Sequence, residues 1–447
     1  MKNLDIRRPL RLWSVARFHK NRKADADAPT HSGLGSIRSQ ARSTASAESL
    51  GCEPAELRRS IHSTALAFRG YDVQNLGRSK ELLDHPVYGE LVLEVLEEVS
   101  QVASKAVGRE IDLVDRVRRE APTSLSEFPE DVALIVAMQW AQLRLLETFF
   151  HVPIREAKMS IGYSIGELTA LILGGTYRMD QLLPIPLKLA DDCAELAKDT
   201  SMAVLFTRGS AFKTEDVERM CRAVSGEGHG LVGPSAYLAP NTALLLGQGD
   251  TLSRIEAVMH TYLPQKVCLR RNPHRWPPLH SPLVWRKNVP NRTAILLYET
   301  GGGETPPIPP VLSCVTGEFS YDGKDSRSLL INWTDHPQRL WDAIDGALAA
   351  GVQTVIHIGP APNLIPSTFE RLSNNVRKQL GHPMLRRLGH DVAHTLQRHA
   401  WLAHLLPSRA SLLRVPWLNH IILEDWLLAR PVEKLVSTAP REGRLTS

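Results

Sequence analysis

"KMSIGYSIGELTALILGG", Lys158 to Gly175, decides how the rest of the chain is read. A short apolar run precedes Ser164. A helix-forming run follows it, with Glu167, Leu168, Ala170, Leu171 and Leu173, and closes at Gly174–Gly175, a good helix stop. Between them Gly162, Ser164 and Gly166 spell G-x-S-x-G. The pattern fits a strand turning sharply into a helix with the serine exposed at the apex, small residues on either side allowing the turn. It also fits an ordinary serine in a tight turn. In the first reading Ser164 is a nucleophile at a helix N-terminus, where backbone N–H groups favour negative charge. The N–H of Ile165 is then the first oxyanion donor.

The rest of the chain sets limits. Its 447 residues are 43% hydrophobic and 23% charged, a globular composition with length for a large core. Two or three ordinary domains fit, as does one large α/β domain with a smaller insert. The net charge of +5 is small and concentrated at the N-terminus, so nucleic acid is not an expected partner. Cys52, Cys193, Cys221, Cys268 and Cys314 are widely spaced with no Cys/His cluster. That predicts free thiols in a reducing compartment, hence the cytoplasm, and no structural metal. No apolar run approaches the ~20 residues of a transmembrane helix. The basic stretch Met1–Lys23 lacks the apolar segment of a secretory signal, and the small, polar stretch Ala24–Gly51 reads as a flexible linker.

Order is expected from about Ile61, with a first strand at Ala65–Phe68. Helices are predicted in "PVYGELVLEVLEEVSQVASKAV" and in the buried-looking "EDVALIVAMQWAQLRLLETFF". One or two more are predicted in "MDQLLPIPLKLADDCAELAK", interrupted by Pro184 and Pro186. From Met202 the order β-α-β-β-α matches a small ferredoxin-like insert. "PPVLSCVTGE" and "VQTVIHIGPAPNL" read as strands. "WTDHPQRLWDAIDGALAAG" reads as a helix ending at Gly351, and the chain beyond about Glu370 as mostly helical. Of the 17 histidines, His280 in "WPPLHSPLV" stands out as the candidate base, in a loop between the insert and the rest of the chain.

Taken in order, these stretches resemble the malonyl-CoA–acyl carrier protein transacylases and the acyltransferase domains of polyketide synthases. The resemblance rests on "GYSIGE" (Gly162–Glu167), "HSPLV" (His280–Val284), "LSCVTGE" (Leu312–Glu318) and "HIGPAPNL" (His357–Leu364), and covers roughly Ala65 to Leu372. It implies an α/β fold: an α/β-hydrolase-like core with a short parallel sheet flanked by helices, plus a small ferredoxin-like inserted subdomain. The expected layout is a basic tail and linker over 1–60, the core over 61–201 and 276–372, the insert over 202–275 and a helical extension over 373–447. The resemblance makes Ser164 the nucleophile and His280 its base. An acyl group, malonyl by family default, would pass from coenzyme A to Ser164. It would then pass to the phosphopantetheine thiol of an acyl carrier protein, in fatty-acid or polyketide synthesis. No tightly bound cofactor or metal is implied.

This chain departs from the pattern near the nucleophile. The family's G-Q-G-S-Q loop is "FRGYDVQ" here, keeping Gly70 and Gln74 and putting Tyr71 where the second oxyanion N–H is supplied. Tyr163 replaces the histidine before the nucleophile. Leu189 stands where malonyl-using members carry a carboxylate-binding arginine, so the pocket favours an uncharged acyl group; Lys188 is adjacent and Arg178 nearer the nucleophile. The backbone that orients the histidine is expected within Asn332–Pro337, so Tyr163, Leu189, Gln74 and Asn332 are the candidate pocket residues. Two other functions stay open: a catalytically weakened relative that binds carrier protein, and a serine thioesterase or hydrolase. The hydrolase needs an acid between Ser164 and a late histidine, for which Asp250 or Asp322 is available.

Overall fold

The computed structural model describes residues 52–207, 211–263, 266–324, 326–380 and 410–432. The basic segment and most of the linker expected over 1–60 lie outside these residues. Description begins at Cys52, and Pro54–Ser60 already form a helix, α1, with Pro54 at its first position, where the missing N–H costs nothing.

Two sheets organise the chain. The first has five parallel strands in the order β7-β2-β1-β8-β9: β1 is Thr64–Phe68, β2 Met159–Gly162, β7 Val311–Leu312, β8 Thr354–Ile358 and β9 Asn419–Ile422. Every residue of β1, β2 and β8 is buried, the signature of a parallel sheet covered on both faces. Helices α2 (Gly89–Val107) and α3 (Phe128–Phe150) pack against it. By length and hydropathy α3 could cross a membrane, but its apolar residues lie mostly inside the core. Helix α4, Ile165–Leu173, follows β2, and α5, Pro184–Ala197, lies beyond it. The interruption expected at Pro184 and Pro186 is there: a short helix, Met179–Leu182, ends just before Pro184, and both prolines sit in the first turn of α5.

The second sheet has four strands in the order β4-β5-β3-β6, all neighbours antiparallel. Here β3 is Thr200–Thr207, β4 Val232–Ala239, β5 Thr242–Gln248 and β6 Val267–Asn272, with α6 (Thr214–Gly226) and α7 (Thr251–Tyr262) as crossovers. The order β-α-β-β-α-β is that of a split βαβ unit. Strand β6 carries three basic or polar residues, Arg270, Arg271 and Asn272, in a row. That masked the period-two alternation by which an edge strand is read.

After α8 (Val289–Glu299) two corrections matter. The segment expected as one helix up to Gly351 is α9, Ser326–Asp335, and α10, Leu340–Ala349, with a break over 336–339. Pro337 has no N–H to donate and disfavours helical backbone at His336, which breaks the run. Helix α11 is Leu364–Leu380. The extension expected to be helical over 373–447 supplies β9, which pairs with β8 from Asn419 to Ile422 and leads into helix α12, Leu423–Leu428. A four-residue strand with His420 inside it gives too short and too polar a pattern to register as β.

Candidate active site

The carboxyl ends of β1 and β2 lie side by side, Phe68 paired with Gly162, so the loops that follow them leave the sheet together. Ser164 sits at the apex between β2 and α4 with φ 55° and ψ −124°, a backbone conformation that side-chain-bearing residues rarely adopt. It is tolerated because both neighbouring glycines have no room for a side chain. A Cβ on Gly162 would lie 2.2 Å from the Glu167 Cα, and one on Gly166 2.4 Å from the Phe68 carbonyl oxygen. The serine of "GYSIGE" is therefore in a strained elbow and not in a generic turn.

Ser164 Oγ lies 2.7 Å from His280 Nε2. The other ring nitrogen, Nδ1, lies 2.6 Å from the Trp333 carbonyl oxygen, which can only accept. Nδ1 therefore carries the proton, and Nε2 presents its lone pair to the serine hydroxyl. His280 itself has φ 62°, and its N–H donates to the Thr334 carbonyl, so the ring is fixed from two sides by the end of α9. Burial lowers its pKa to about 4, with the bond to Trp333 acting weakly the other way. The imidazole is thus neutral at ordinary pH and able to accept a proton.

The serine backbone is gripped as well. Its N–H donates to Gln338 Oε1 at 3.1 Å, and its carbonyl accepts from Trp333 Nε1 at 3.1 Å. Gln338 is fully buried, and its Nε2 approaches His280 Nδ1 at 3.3 Å. Two donors face each other there, so the Trp333 carbonyl keeps the Nδ1 proton. Neither Trp333 nor Gln338 was picked out from the sequence. The orienting backbone expected within Asn332–Pro337 is the Trp333 carbonyl, while the Asn332 carbonyl accepts from the His336 N–H.

Among the other sequence candidates, Ile165 is the first residue of α4, where its N–H has no carbonyl within the helix to meet. Gly70, just before Tyr71, packs onto the elbow: a Cβ there would lie 3.0 Å from Ser164 Cβ. This brings the Tyr71 backbone to the nucleophile's side, while the Tyr71 ring packs edge-on against Phe128 and Trp276 at 4.9 and 5.3 Å. The loop is shaped from beneath by Arg69, fully buried, which donates to the carbonyls of Gly70, Gln74 and Pro360 and to Asn75 Oδ1. Gln139 Nε2 in turn donates to the Arg69 carbonyl. The Gln74 side chain is exposed, and its carbonyl accepts from Arg69. Tyr163 is buried in the core beneath Gly70 and does not line the cavity around Leu189.

Leu189 does line a cavity, a tight apolar space of about 20 Å³. Leu168, Ile185, Leu279, Leu330 and Trp333 form the wall with it. Arg178 is exposed and paired with Asp180, and Lys188 is exposed, so neither reaches this space. All five cysteines are free. Glu167, next to the elbow, is fully buried and its pKa is raised to about 7 by burial, against hydrogen bonds from Ser313, Tyr321 and the Cys314 N–H.

No family model matches the chain. Polyketide synthase GfsA from Streptomyces halstedii is 27% identical over 303 residues, which span 66% of this chain and only 4% of the synthase. Among solved structures, MCAT from Streptococcus pneumoniae superposes with a TM-score of 0.55 at 21% identity, over 68% of this chain and 91% of that one. An acyl carrier protein S-malonyltransferase from Vibrio cholerae gives 0.54 at 20% identity, over 68% and 92%. A malonyl-transacylase bound to its type II polyketide synthase acyl carrier protein gives 0.51 at 19% identity, over 68% and 92%. The chain thus has the fold of the malonyl-CoA–acyl carrier protein transacylases, an α/β-hydrolase-like core with a parallel sheet flanked by helices.

Proposed function

We propose that this protein is an acyltransferase that moves an acyl group from coenzyme A to the phosphopantetheine thiol of an acyl carrier protein through an acyl-Ser164 intermediate. The observation that carries the reading is the Ser164–His280–Trp333 relay, with Oγ, Nε2, Nδ1 and a fixed carbonyl in line. Support for the carrier-protein partner comes from the likeness in fold to a malonyl-transacylase solved with its carrier protein.

The steps balance without a metal or redox group. His280 Nε2 takes the Ser164 hydroxyl proton as Oγ attacks the thioester carbonyl. The tetrahedral oxyanion is met by the N–H groups of Ile165 and Tyr71, donors worth ~10²–10³ in rate each. Collapse expels the coenzyme A thiolate, which takes the proton from His280. In the second half His280 deprotonates the carrier thiol, which attacks the acyl-serine and frees Ser164 Oγ to recover the proton. Thioester exchange is nearly thermoneutral, so placement of these groups is the main requirement.

Intact-mass spectrometry after mixing the protein with acyl-CoAs tests the reading. An acyl adduct mapping to Ser164, transferable to a holo carrier protein and abolished by Ser164→Ala, is expected. Absence of an adduct with every donor would overturn it. Release of free acid at the same rate with and without carrier protein would favour a thioesterase instead.

A further inference from the structure

The Tyr71 N–H belongs to a peptide unit that is held from its other end. That unit is trans, so its Gly70 carbonyl and its Tyr71 N–H point in opposite directions. The carbonyl accepts from Arg69 Nε at 2.9 Å. The N–H donates to no other group among the described residues, and Gly70 lies against the elbow beside Ser164. The Ile165 N–H is set in the same manner. Its peptide partner, the Ser164 carbonyl, accepts from Trp333 Nε1 at 3.1 Å. Arg69 is itself tightly seated. It is fully buried, and its stem crosses Gly359, where a Cβ would lie 2.8 Å from Arg69 Cγ. Its N–H donates to the Ile358 carbonyl at 3.3 Å, and its carbonyl accepts from Gln139 Nε2 at 2.8 Å. The other guanidinium N–H groups reach the carbonyls of Gln74 and Pro360 and the Asn75 Oδ1.

We infer that Arg69 is a positioning residue for the oxyanion hole: by holding and polarising the Gly70 carbonyl it aims the Tyr71 N–H at the tetrahedral oxygen and makes it a stronger donor. The inference rests on the acyl-serine reading above. The acceptors of Arg69 among the described residues are neutral oxygens, and a guanidinium stays charged at ordinary pH. A positive charge therefore stands beside the oxyanion peptide with no bonded carboxylate to cancel it. Asp72, Glu424 and Asp131 act on it only from a distance. A hydrogen bond from a charged donor is about twice as strong as a neutral one, and bonds in a chain strengthen one another by ~10–30%. The gain is greatest when the bound oxygen is negative. Arg69 thus lowers the barrier more than it tightens substrate binding.

Arg69→Lys on the full chain tests this, since lysine keeps a charge and loses the fork that fixes Nε on the Gly70 carbonyl. The donor is whichever of acetyl-, butyryl- and malonyl-CoA acylates the wild type, isotope-labelled at its thioester carbonyl. Single-turnover acylation of Ser164 is expected to slow at least about tenfold, part of the ~10²–10³ that a whole oxyanion donor is worth. The half-saturating acyl-CoA concentration is expected to stay within about twofold. Infrared spectra of the acyl-enzyme give the reading that loss of stability alone would not move. The wild-type ester carbonyl is expected to absorb below its frequency in water, and the variant's band above the wild type's. Equal rates and superimposable bands would overturn the role of Arg69 and leave the acyl-serine reading intact. A slower rate with an unchanged band would make Arg69 a purely structural part of the loop, and would overturn it as well. Should Arg69→Lys not fold, the wild-type band decides: a carbonyl at its aqueous frequency would show that the Tyr71 N–H does not engage it. No adduct on the wild type from any donor would overturn both readings.

Discussion

At the scale of single residues, the reactive pair depends on where protons are held. Burial places the His280 pKa at about 4, below the ~6.5 of a free histidine. The neutral ring is the active base, and the sign is clear: activity is complete above the folded pKa and falls as pH drops through it. The acid limb of the acylation rate is therefore expected near pH 4 instead of ~6.5. Stopped-flow acylation between pH 4 and 8 would measure it. A limb at ~6.5 would mean that the ring is hydrated and charged during turnover. Ser164 and His280 were legible in the sequence because each sits in a short motif of fixed spacing. Trp333 was legible only as part of the stretch Asn332–Pro337, since its role is played by a backbone carbonyl, which every residue type possesses.

At the scale of elements, the break between α9 and α10 shapes the site. The sequence reads as one amphipathic helix ending at Gly351, and its periodicity is real on both sides of the break. Pro337 stops the first helix, leaves the Trp333 and Thr334 carbonyls free of intrahelical partners, and aims Gln338 inward. The Gln338 backbone pairs with β4, its N–H donating to Ser235 O and its carbonyl accepting from Tyr237 N–H at 2.8 Å. Gln338 is thus a positioning residue that ties the antiparallel sheet to the elbow. Gln338→Met removes the acceptor for the Ser164 N–H while keeping the volume. It is expected to cost ~1–3 kcal/mol of stability and to slow acylation by about tenfold, with little change in KM. Denaturant melts and single-turnover kinetics on the same variant would check both. An unchanged acylation rate alongside the stability loss would reduce Gln338 to a purely structural tie.

At the scale of the molecule, distant parts of the chain meet at the far edge of the parallel sheet. Trp426, fully buried in α12, packs against Phe150 at 4.8 Å, and its Nε1 donates to the Cys52 carbonyl. Glu424 accepts from the N–H groups of Arg78 and Ala361, joining the loop after β1 to the turn after β8. Residues 410–432 therefore complete the core and do not form a separate appendage. Trp426→Ala is expected to cost ~3–5 kcal/mol, whereas Trp417→Ala, at a residue 69% exposed, should stay within ~0.5 kcal/mol. Urea denaturation midpoints of the two variants would decide. Similar midpoints would show that the C-terminal segment is not part of the cooperative core.

The amino-acid sequence by itself determined the strand–elbow–helix around Ser164, the histidine that faces it and the alternation of strands and helices. These depend on local patterns: glycines where a Cβ cannot fit, and apolar spacing at the helical period. Three things needed the tertiary structure: the carbonyl that orients His280, the apolar lining around Leu189, and the edge strand supplied by residues 419–422. Each arises from groups far apart in the chain, and each is decided by what the fold packs together, which no local pattern encodes.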